Sequence, residues 1–569
     1  MRGIGNLFRN GWRSFLFALA GLNLAVFTHQ AFFRPASFEL LPYAMQNDAR
    51  QFQSWMPRLL DPTLLNGDLI ADYWHAMSPL LYRAVFAVPA FFGLDPIFIG
   101  KILPIALVLA TAAIAWKIAL KLDARPAAAF VISALTTAVV IYQTDIFSPT
   151  PRGFAAPLLL LFFAGLLYEN MLLAIVALAS LAAVYPAPAL PALTILGLWH
   201  LRWQRPFHLE ISRRSFLTMA AAVVAVGLAA LPFRLATAEW GPTVQWADAI
   251  TQPNFMVPWG KSSIVQPDGS FGWLCSQRLG FLPRFIDCEV GGGFGRALNL
   301  LLTLVPGTYL FLRAVRRIRR GEAASSGELI YGYTLLASAI WFVIAASVAF
   351  DLHLPSRYSQ KILVLTGALA TGQLAGGFIA DWLGKFREAG QTFLHDAAVT
   401  LVALLSIAVF SLSPPLWRPQ DLGAIRQIAA LPPQSLIAGA SGVLDYVPAL
   451  TGRKVFATVK HAIPYQLGYF RVIRERLLIS ARIVVTPDGK ELKSLLEKNG
   501  ITTLVVNRSI LMGGPLPADF QSILGDATPH NDEWWSIPAL SGFAESCATY
   551  SGRTVVILDA ACIEANIAK

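Results

Sequence analysis

PIFIGKILPIALVLATAAIAWKIAL, residues 96–120, is an apolar run in which Lys101 and Lys117 are the only charged side chains. An α-helix of roughly 20 such residues crosses the hydrocarbon core of a bilayer, which is about 30 Å thick. Ten further apolar runs of crossing or near-crossing length lie at 15–33, 126–143, 153–168, 171–185, 187–201, 215–233, 297–313, 329–350, 358–380 and 394–414. The sequence therefore predicts an α-helical polytopic membrane bundle of about 11 transmembrane helices.

The composition of the whole chain is typical of a membrane protein. Of its 569 residues, 55% are hydrophobic and 14% are charged, whereas ordinary soluble domains contain about 25% charged residues. This excludes a single water-soluble globule, and we expect membrane lipids to surround the bundle. In a soluble protein the formal net charge of +11 would suggest a nucleic-acid partner. Here the basic residues cluster between apolar runs, so no nucleic-acid partner is expected.

The basic clusters also predict an orientation. They lie before the first run and after the second, sixth and eighth runs, at residues 2–13, 117–125, 202–214 and 313–320. Because basic loops are retained in the cytoplasm, we expect a cytoplasmic N-terminus and a periplasmic C-terminus in a bacterial inner membrane. Ser78–Leu94 is expected as a helix on the outer face, since counting it as a crossing would place the cluster at 117–125 outside. The long outer segments are then 34–95, 234–296 and everything after 414.

The chain changes character after residue 414. Helical patterns such as Asp488–Asn499 alternate there with short β-type runs at Ser435–Gly439, Lys454–Thr458, Thr502–Asn507 and Thr554–Leu558. This alternation predicts a small α/β domain. Its turns carry no glycine-rich phosphate-binding motif, so nucleotide binding is not expected. We therefore divide the chain into a membrane domain, residues 1–414, and a periplasmic α/β domain, residues 415–569.

The four cysteines all fall in predicted outer segments. Cys275 and Cys288 share one loop, and Cys547 and Cys562 lie near the C-terminus. Local pairing in an oxidising compartment predicts two disulfide bonds. Four unpaired buried thiols are the alternative, because connectivity does not follow from spacing alone.

The first outer loop carries residues suited to chemistry. It reads ELLPYAMQNDARQFQSWMPRLLDPTLLNGDLIADYWHAMSPLLYR from residue 39 to residue 83, and its acids are Glu39, Asp48, Asp61, Asp68 and Asp72. A general base requires a carboxylate near the acceptor and sheltered from bulk water, which a loop packed on helix ends can provide. Asp61 precedes a proline and Asp68 follows a glycine, so turn positions are the favoured interpretation for these two.

The context Asn47-Asp48-Ala49-Arg50 lies early in this loop, before about ten further helices and an outer domain. This arrangement resembles the GT-C superfamily of membrane glycosyltransferases, which includes protein O-mannosyltransferases, lipid A aminoarabinose transferases and oligosaccharyltransferases. The resemblance implies inverting transfer of a sugar from a polyprenyl-phosphate donor to an envelope glycan, lipid or protein on the periplasmic face. It also implies that Asp48 is the base or positions the acceptor. Ala49 stands where the family has a second acid, which argues against a paired-carboxylate or metal role. His75 and His353 have no second His or Cys at ligand spacing, so metal dependence is not predicted.

The resemblance places another acid in the next outer loop, TDIFSPTPRG at residues 144–153, where Asp145 and Arg152 are the candidates. The phosphate of the donor requires a cation at the membrane boundary, and arginine matches its oxygens well. Arg357, at an expected outer helix start, is the first choice, with Lys361 one turn later; Arg152 is the second choice. A solvated turn for Asp48 and a headgroup anchor for Arg357 are the alternatives.

Two functions outside this enzyme class also fit the layout: a non-catalytic envelope assembly protein and a lipid-linked-glycan transporter. A polysaccharide polymerase or ligase is the enzymatic alternative, which a separate C-terminal domain disfavours. A transporter would place ionisable residues within the membrane, whereas these lie in outer loops. Convergence of Asp48, Asp145, Arg152 and Arg357 in one cavity would favour the enzyme, and scattered positions would favour the assembly protein. For the C-terminal domain, acceptor binding and folding support for the outer loops are equal alternatives.

Overall fold

The computed structural model describes residues 42–143, 145–204, 208–210, 212–274, 276, 278–283, 288–388, 418–529 and 538–567. Within these residues the chain is mostly helical, with a small sheet near the C-terminus. Five of the described helices are long and apolar enough to cross a membrane: Pro96–Leu122, Arg213–Ala238, Arg296–Arg319, Ser326–Ser347 and Ser356–Lys385.

The elements before residue 389 correspond closely to the predicted apolar runs. In chain order they are α1 (Ala49–Phe52), α2 (Leu69–Ala76), α3 (Leu80–Phe91), α4 (Pro96–Leu122), α5 (Pro126–Tyr142), α6 (Ala155–Leu167), α7 (Met171–Val184), α8 (Ala189–His200), β1 (Arg202–Gln204), β2 (His208–Glu210), α9 (Arg213–Ala238), α10 (Trp246–Ala249), α11 (Cys288–Thr303), α12 (Val305–Arg319), α13 (Ser326–Ser347) and α14 (Ser356–Glu388). Nine of the eleven predicted runs coincide with helices of this series. The runs at 15–33 and 394–414 lie outside the described residues.

Several helices of the predicted bundle are shorter than a full membrane crossing. Helices α5 to α8 contain 17, 13, 14 and 12 residues, fewer than the roughly 20 that a straight crossing requires. Helix α3 lies within the predicted segment Ser78–Leu94 and has 12 residues, which is also too short to cross. The eighth run, 297–313, spans the end of α11 and the first part of α12, which continues to Arg319.

Glycines fix how α14 packs on α5. A Cβ at Gly372 would lie 2.9 Å from Ile132 Cα, and one at Gly376 would lie 2.7 Å from the Ala128 carbonyl oxygen. Only glycine permits so close an approach between two helices. The order of these contacts makes the helices antiparallel. Since a helix rises about 1.5 Å per residue, Lys361 lies about 16 Å before Gly372, level with the end of α5.

The described C-terminal region is an α/β domain. Its elements are α15 (Leu422–Ala429), β3 (Leu436–Ala440), α16 (Val447–Thr451), β4 (Lys454–Val455), α17 (Leu467–Val485), α18 (Gly489–Asn499), β5 (Thr503–Asn507), α19 (Arg508–Leu511), α20 (Ala518–Leu524), β6 (Ala548–Ser551), β7 (Val555–Asp559) and α21 (Ala560–Ile567). The strands form one sheet in the order β4-β3-β5-β7-β6. Strand β3 is parallel to β4 and β5, and β7 is antiparallel to β5 and β6. The four predicted strands and the predicted helix are present, whereas β6 was not predicted.

The first outer loop packs directly against this domain. The ring of Tyr73 stacks on Tyr469, with 3.6 Å between centroids and 5° between planes, and its hydroxyl donates to Gln466 Oε1 at 2.6 Å. Asp68 caps α2 and also accepts the Val455 N–H at 3.3 Å. Burial raises the pKa of Asp68 to about 6, against the opposing effect of these N–H groups. The loop and the domain therefore share one buried core.

A disulfide bond joins Cys547 to Cys562 across a separation of 15 residues. It connects the chain just before β6 to α21, so the predicted local pairing near the C-terminus is confirmed. Cys275 lies outside the described residues, and the pairing of Cys275 with Cys288 stays a prediction.

Replacing both Cys547 and Cys562 with Ser is expected to destabilise the domain by up to about 3 kcal/mol. The reason is that the bond closes a loop of about 15 residues and so restricts the unfolded chain. Thermal melting of the purified protein, with and without reductant, measures the effect. Wild type should melt lower when reduced, the double variant should ignore reductant, and equal melting of the two proteins without reductant would contradict the prediction.

Candidate active site

Asp48 lies immediately before α1, where the first outer loop meets the second. Its backbone N–H donates to Gln46 Oε1 at 2.7 Å, and Ser148 Oγ from the second loop donates to the same oxygen at 3.0 Å. Gln46 therefore ties the two loops together. The Asp48 side chain makes no capping hydrogen bond to α1, which leaves both of its oxygens free to meet other groups.

Two cations hold the Asp48 carboxylate. Arg152 Nη2 donates to Oδ2, and Lys460 Nζ donates to Oδ1 at 2.9 Å. Burial alone would raise the pKa of Asp48, but the charges and hydrogen bonds of Arg152 and Lys460 outweigh burial and hold this pKa well below its usual range. The side chain is 29% exposed. Asp48 is thus an ionised carboxylate that a ligand can still reach.

Arg152 also links Asp48 to Asp145. Its Nη1 lies 3.8 Å from Asp145 Oδ1, and Lys361 Nζ forms an ion pair with Asp145 Oδ2. Asp145 begins the turn that follows α5, and Lys361 lies in the second turn of α14. The antiparallel packing of these helices brings the two side chains together. Four of the predicted site residues, Asp48, Asp145, Arg152 and Lys361, therefore form one continuous set of ion pairs.

A pocket opens beside this set. Asp145, Arg152 and Lys361 line it together with apolar residues of α5 and α14, including Val140 and Leu365, and its cavity volume is about 40 Å³. Charged groups beside an apolar wall are suited to a ligand that has an anionic head and a hydrocarbon tail.

Arg357 completes the charged end of the site. It is the second residue of α14, is half-buried, and lies within electrostatic range of Arg152 and Tyr185. Within the part of the chain that the structure describes, its guanidinium has no hydrogen-bond or ion-pair partner, and the buried Tyr185 hydroxyl also has none. Buried polar groups are nearly always paired. These two free donors therefore mark a place where the acceptor atoms of a ligand fit.

Sequence reasoning missed Lys460, which comes from the C-terminal domain, 412 residues after Asp48. The neighbours of Asp48 hold the same part of the domain: Arg50 Nη1 lies 3.1 Å from Asp445 Oδ2, and Gln51 Nε2 donates to the Lys460 carbonyl at 2.6 Å. No local pattern distinguishes Lys460 from other surface lysines. The contribution of Lys460 becomes visible only in the structure, where the C-terminal domain packs against the first outer loop.

The other acids of the first outer loop have local partners. Asp61 accepts from the backbone and hydroxyl of Thr63, and Asp72 pairs with Arg58 at 2.7 Å. These contacts, with the capping role of Asp68, agree with the turn interpretation of Asp61 and Asp68. Glu39 lies outside the described residues. In the described ranges, no three His, Cys, Asp or Glu side chains come together as metal ligands.

No protein-family model matches the sequence, and no curated protein matches it either. Similar solved structures include the apo oligosaccharyltransferase of Archaeoglobus fulgidus, with a TM-score of 0.49 and 11% identity over 87% of this chain and 70% of that one. The oligosaccharyltransferase AglB from the same archaeon, in complex with an inhibitory peptide and a dolichol-phosphate, gives 0.48 and 10% over 88% and 70%. The arabinofuranosyltransferase AftD from mycobacteria gives 0.46 and 13% over 90% of this chain and 37% of that one. Oligosaccharyltransferases and an arabinofuranosyltransferase are thus among the solved structures to which this chain is similar.

Proposed function

We propose that the chain is a membrane glycosyltransferase of the GT-C type. It moves a sugar from a polyprenyl-phosphate donor to an acceptor on the periplasmic face, in the assembly or modification of cell-envelope glycans. The convergence of Asp48, Asp145, Arg152 and Lys361 beside one pocket carries this proposal. An assembly protein has no need to gather these charges from separate segments of the chain, which is why the enzyme is favoured.

The donor is proposed to bind in the pocket with its phosphate among the cations. Arg357 and the Tyr185 hydroxyl have no partners in the described residues and can donate to phosphate oxygens. Arg152 and Lys361 add positive charge on the other side. The isoprenoid chain would run along the apolar side chains of α5 and α14. Both oxygens of Asp48 already face cations, so the proposed chemistry uses side chains rather than a metal ion to stabilise charge.

In this proposal Asp48 is the general base. As the acceptor hydroxyl attacks the anomeric carbon, its proton passes to Asp48, and the bond from that carbon to the phosphate oxygen breaks. The polyprenyl phosphate leaves with the electron pair, and Arg152 and Arg357 stabilise its charge. A single displacement of this kind inverts the anomeric configuration. When the phosphate attracts Arg152, Asp48 loses one of the cations that suppress its basicity, so donor binding strengthens the base.

The proposed arrangement in the membrane has about 11 crossings, with the N-terminus in the cytoplasm and residues 415–569 in the periplasm of a bacterial inner membrane. Arg125 pairs with Asp381 at one end of the α5–α14 pair, whereas Asp145 and Lys361 meet at the other end. The basic cluster that predicts the cytoplasmic face and the candidate site thus lie at opposite ends of one helix pair. This geometry supports the orientation.

The test is transfer of radiolabelled sugar from polyprenyl-phosphate donors to envelope fractions by the purified protein. Label appearing in an envelope acceptor, and depending on added protein, is the expected result. If wild-type protein transfers nothing from any donor while it melts as a folded protein, the proposal is wrong and the assembly protein or transporter becomes favoured.

Replacing Arg357 with Gln is expected to raise the KM for the donor by about 10-fold to 100-fold, because hydrogen bonds to charged groups contribute about 1.5–3 kcal/mol. Initial rates measured against donor concentration give the value. Arg471→Gln is the matched control, since Arg471 is exposed and lies in the C-terminal domain. An unchanged donor KM in the Arg357 variant would favour the alternative in which Arg357 only anchors the helix end.

A further inference from the structure

A second group of cations lies near Asp48, on the side of the C-terminal domain. It consists of Lys261 and Arg278 from the second long outer segment and Lys460 from the domain, and we call it the outer cation group. Arg278 Nη2 donates to the Lys261 carbonyl at 3.2 Å, and Nη1 donates to the Tyr465 hydroxyl at 3.3 Å. Lys261 in turn lies within electrostatic range of Lys460 and Arg278. The group is therefore contiguous with the candidate active site.

The charges of this group are incompletely compensated. The Lys261 ammonium has no hydrogen-bond or ion-pair partner in the described parts of the chain. The two contacts of the Arg278 guanidinium are to neutral oxygens. Of the acids in electrostatic range of Lys261, Asp445 already pairs with Arg50, and Asp519 is exposed and lies beyond ion-pair distance. Half-buried cations without counter-charges are costly, so an anionic ligand would stabilise them.

One donor phosphate does not supply enough negative charge for the whole site. A sugar joined to a polyprenyl phosphate is a phosphodiester and carries a single negative charge. Among the residues that the structure describes, seven neighbouring cations face four acids, namely Arg50, Arg152, Lys261, Arg278, Arg357, Lys361 and Lys460 against Asp48, Asp145, Asp445 and Asp519. After the donor binds, positive charge is still in excess, and most of it lies in the outer cation group.

The geometry around Asp48 indicates which substrate meets this group. Oδ2 of Asp48 faces Arg152, next to the proposed donor phosphate, whereas Oδ1 faces Lys460. A base must reach the acceptor hydroxyl, so the acceptor is expected on the Oδ1 side. The outer cation group also comes from outer segments rather than from α14, and so it lies where a substrate arrives from the periplasm.

We propose that Lys261, Arg278 and Lys460 bind an anionic group of the acceptor, and that the acceptor is an acidic molecule with a phosphate or carboxylate close to the hydroxyl that receives the sugar. The catalytic part of this proposal, in which the bound acceptor receives a sugar, rests on the proposed function. Because the anion is held next to Asp48, the group sets which hydroxyl is presented to the base. Neutral acceptors lack this anchor and bind more weakly.

A binding experiment tests the site without relying on catalysis. Purified protein is saturated with polyprenyl phosphate, which fills the donor site, and binding of radiolabelled inorganic phosphate is then measured. Lys261→Gln should weaken this binding about tenfold, Lys261→Arg should largely restore it, and Lys498→Gln, at an exposed lysine of the domain, should leave it unchanged. Absence of phosphate binding by wild type, or equal binding by wild type and Lys261→Gln, would overturn the proposal.

A transfer experiment then identifies the acceptor. Envelope extracts are separated by anion exchange into acidic and neutral pools, and label is expected in the acidic pool. Lys261→Gln should raise the half-saturating concentration of that pool about tenfold while the donor KM stays within twofold. Label confined to the neutral pool would overturn the proposal, and a raised donor KM would assign the group to a diphosphate donor instead. If wild type binds phosphate in the first experiment but transfers nothing to either pool, the proposed function fails while the anion site stands.

Discussion

Asp48→Asn is expected to lower the maximal rate of sugar transfer by about 10²-fold to 10⁴-fold, the range that a positioned general base contributes. Asparagine keeps the shape of the side chain, and its one carbonyl oxygen can still accept a hydrogen bond from Arg152 or Lys460, but it cannot take the proton of the acceptor. The donor KM should change much less than the rate, because Arg357 and Lys361 still hold the phosphate. Initial rates at saturating donor and acceptor measure the effect.

Folding must be separated from chemistry in this experiment. The variant leaves two cations opposite a neutral amide, so melting temperatures of both proteins are recorded in the same detergent. Asp61→Asn is the matched control, since Asp61 lies in the same loop but is exposed, and its carboxylate accepts hydrogen bonds from Thr63. Asp48→Glu keeps the charge and should retain more activity than Asp48→Asn. A stable Asp48→Asn protein with an undiminished rate would remove Asp48 from the proton transfer.

Part of the site was predictable because hydropathy determines where helices meet the membrane boundary. Asp145 follows one apolar run and Arg357 and Lys361 begin another, so each had to lie near a helix end. Their pairing required the packing of α14 on α5, which Gly372 and Gly376 make possible. The sequence shows these glycines, but it does not identify the helix that they approach.

The contributions of the C-terminal domain were not predictable for a different reason. Lys460 meets Asp48 only because the domain docks on the first outer loop, and docking depends on tertiary contacts such as the stack of Tyr73 on Tyr469. The edge strand β6 was missed because ATYS is short, lacks a continuous β-type run and pairs with β7 through an irregular register. The α/β class of the domain could be predicted from local sequence patterns. Its contribution to the candidate site could not, because that contribution depends on how the domain docks on the first outer loop.

The contact of Tyr73 with the C-terminal domain gives the other large expected effect, which is on the stability of the folded protein. Tyr73 is 1% exposed, stacks on Tyr469, meets Trp240 edge-on at 5.4 Å and donates to Gln466. Removing a large buried aromatic side chain costs about 3–5 kcal/mol, so Tyr73→Ala should loosen the domain from the first outer loop. Melting temperature and limited proteolysis of the purified protein measure this, with a C-terminal fragment near residues 418–569 expected to appear sooner.

This variant also distinguishes the two roles considered for the C-terminal domain. If the domain supports the outer loops, loosening it removes the contacts that hold the loop of Asp48 in position, and transfer should fall even at saturating acceptor. If it only binds acceptor, high acceptor concentration should restore the rate. Tyr73→Phe is the matched control, because it loses one hydrogen bond of about 1 kcal/mol and keeps the stack. Because the docking contact and the ion pair to Asp48 belong to the same domain, we expect a loss of rate that acceptor does not rescue. A Tyr73→Ala protein as protease-resistant and active as wild type would show that the contact is dispensable.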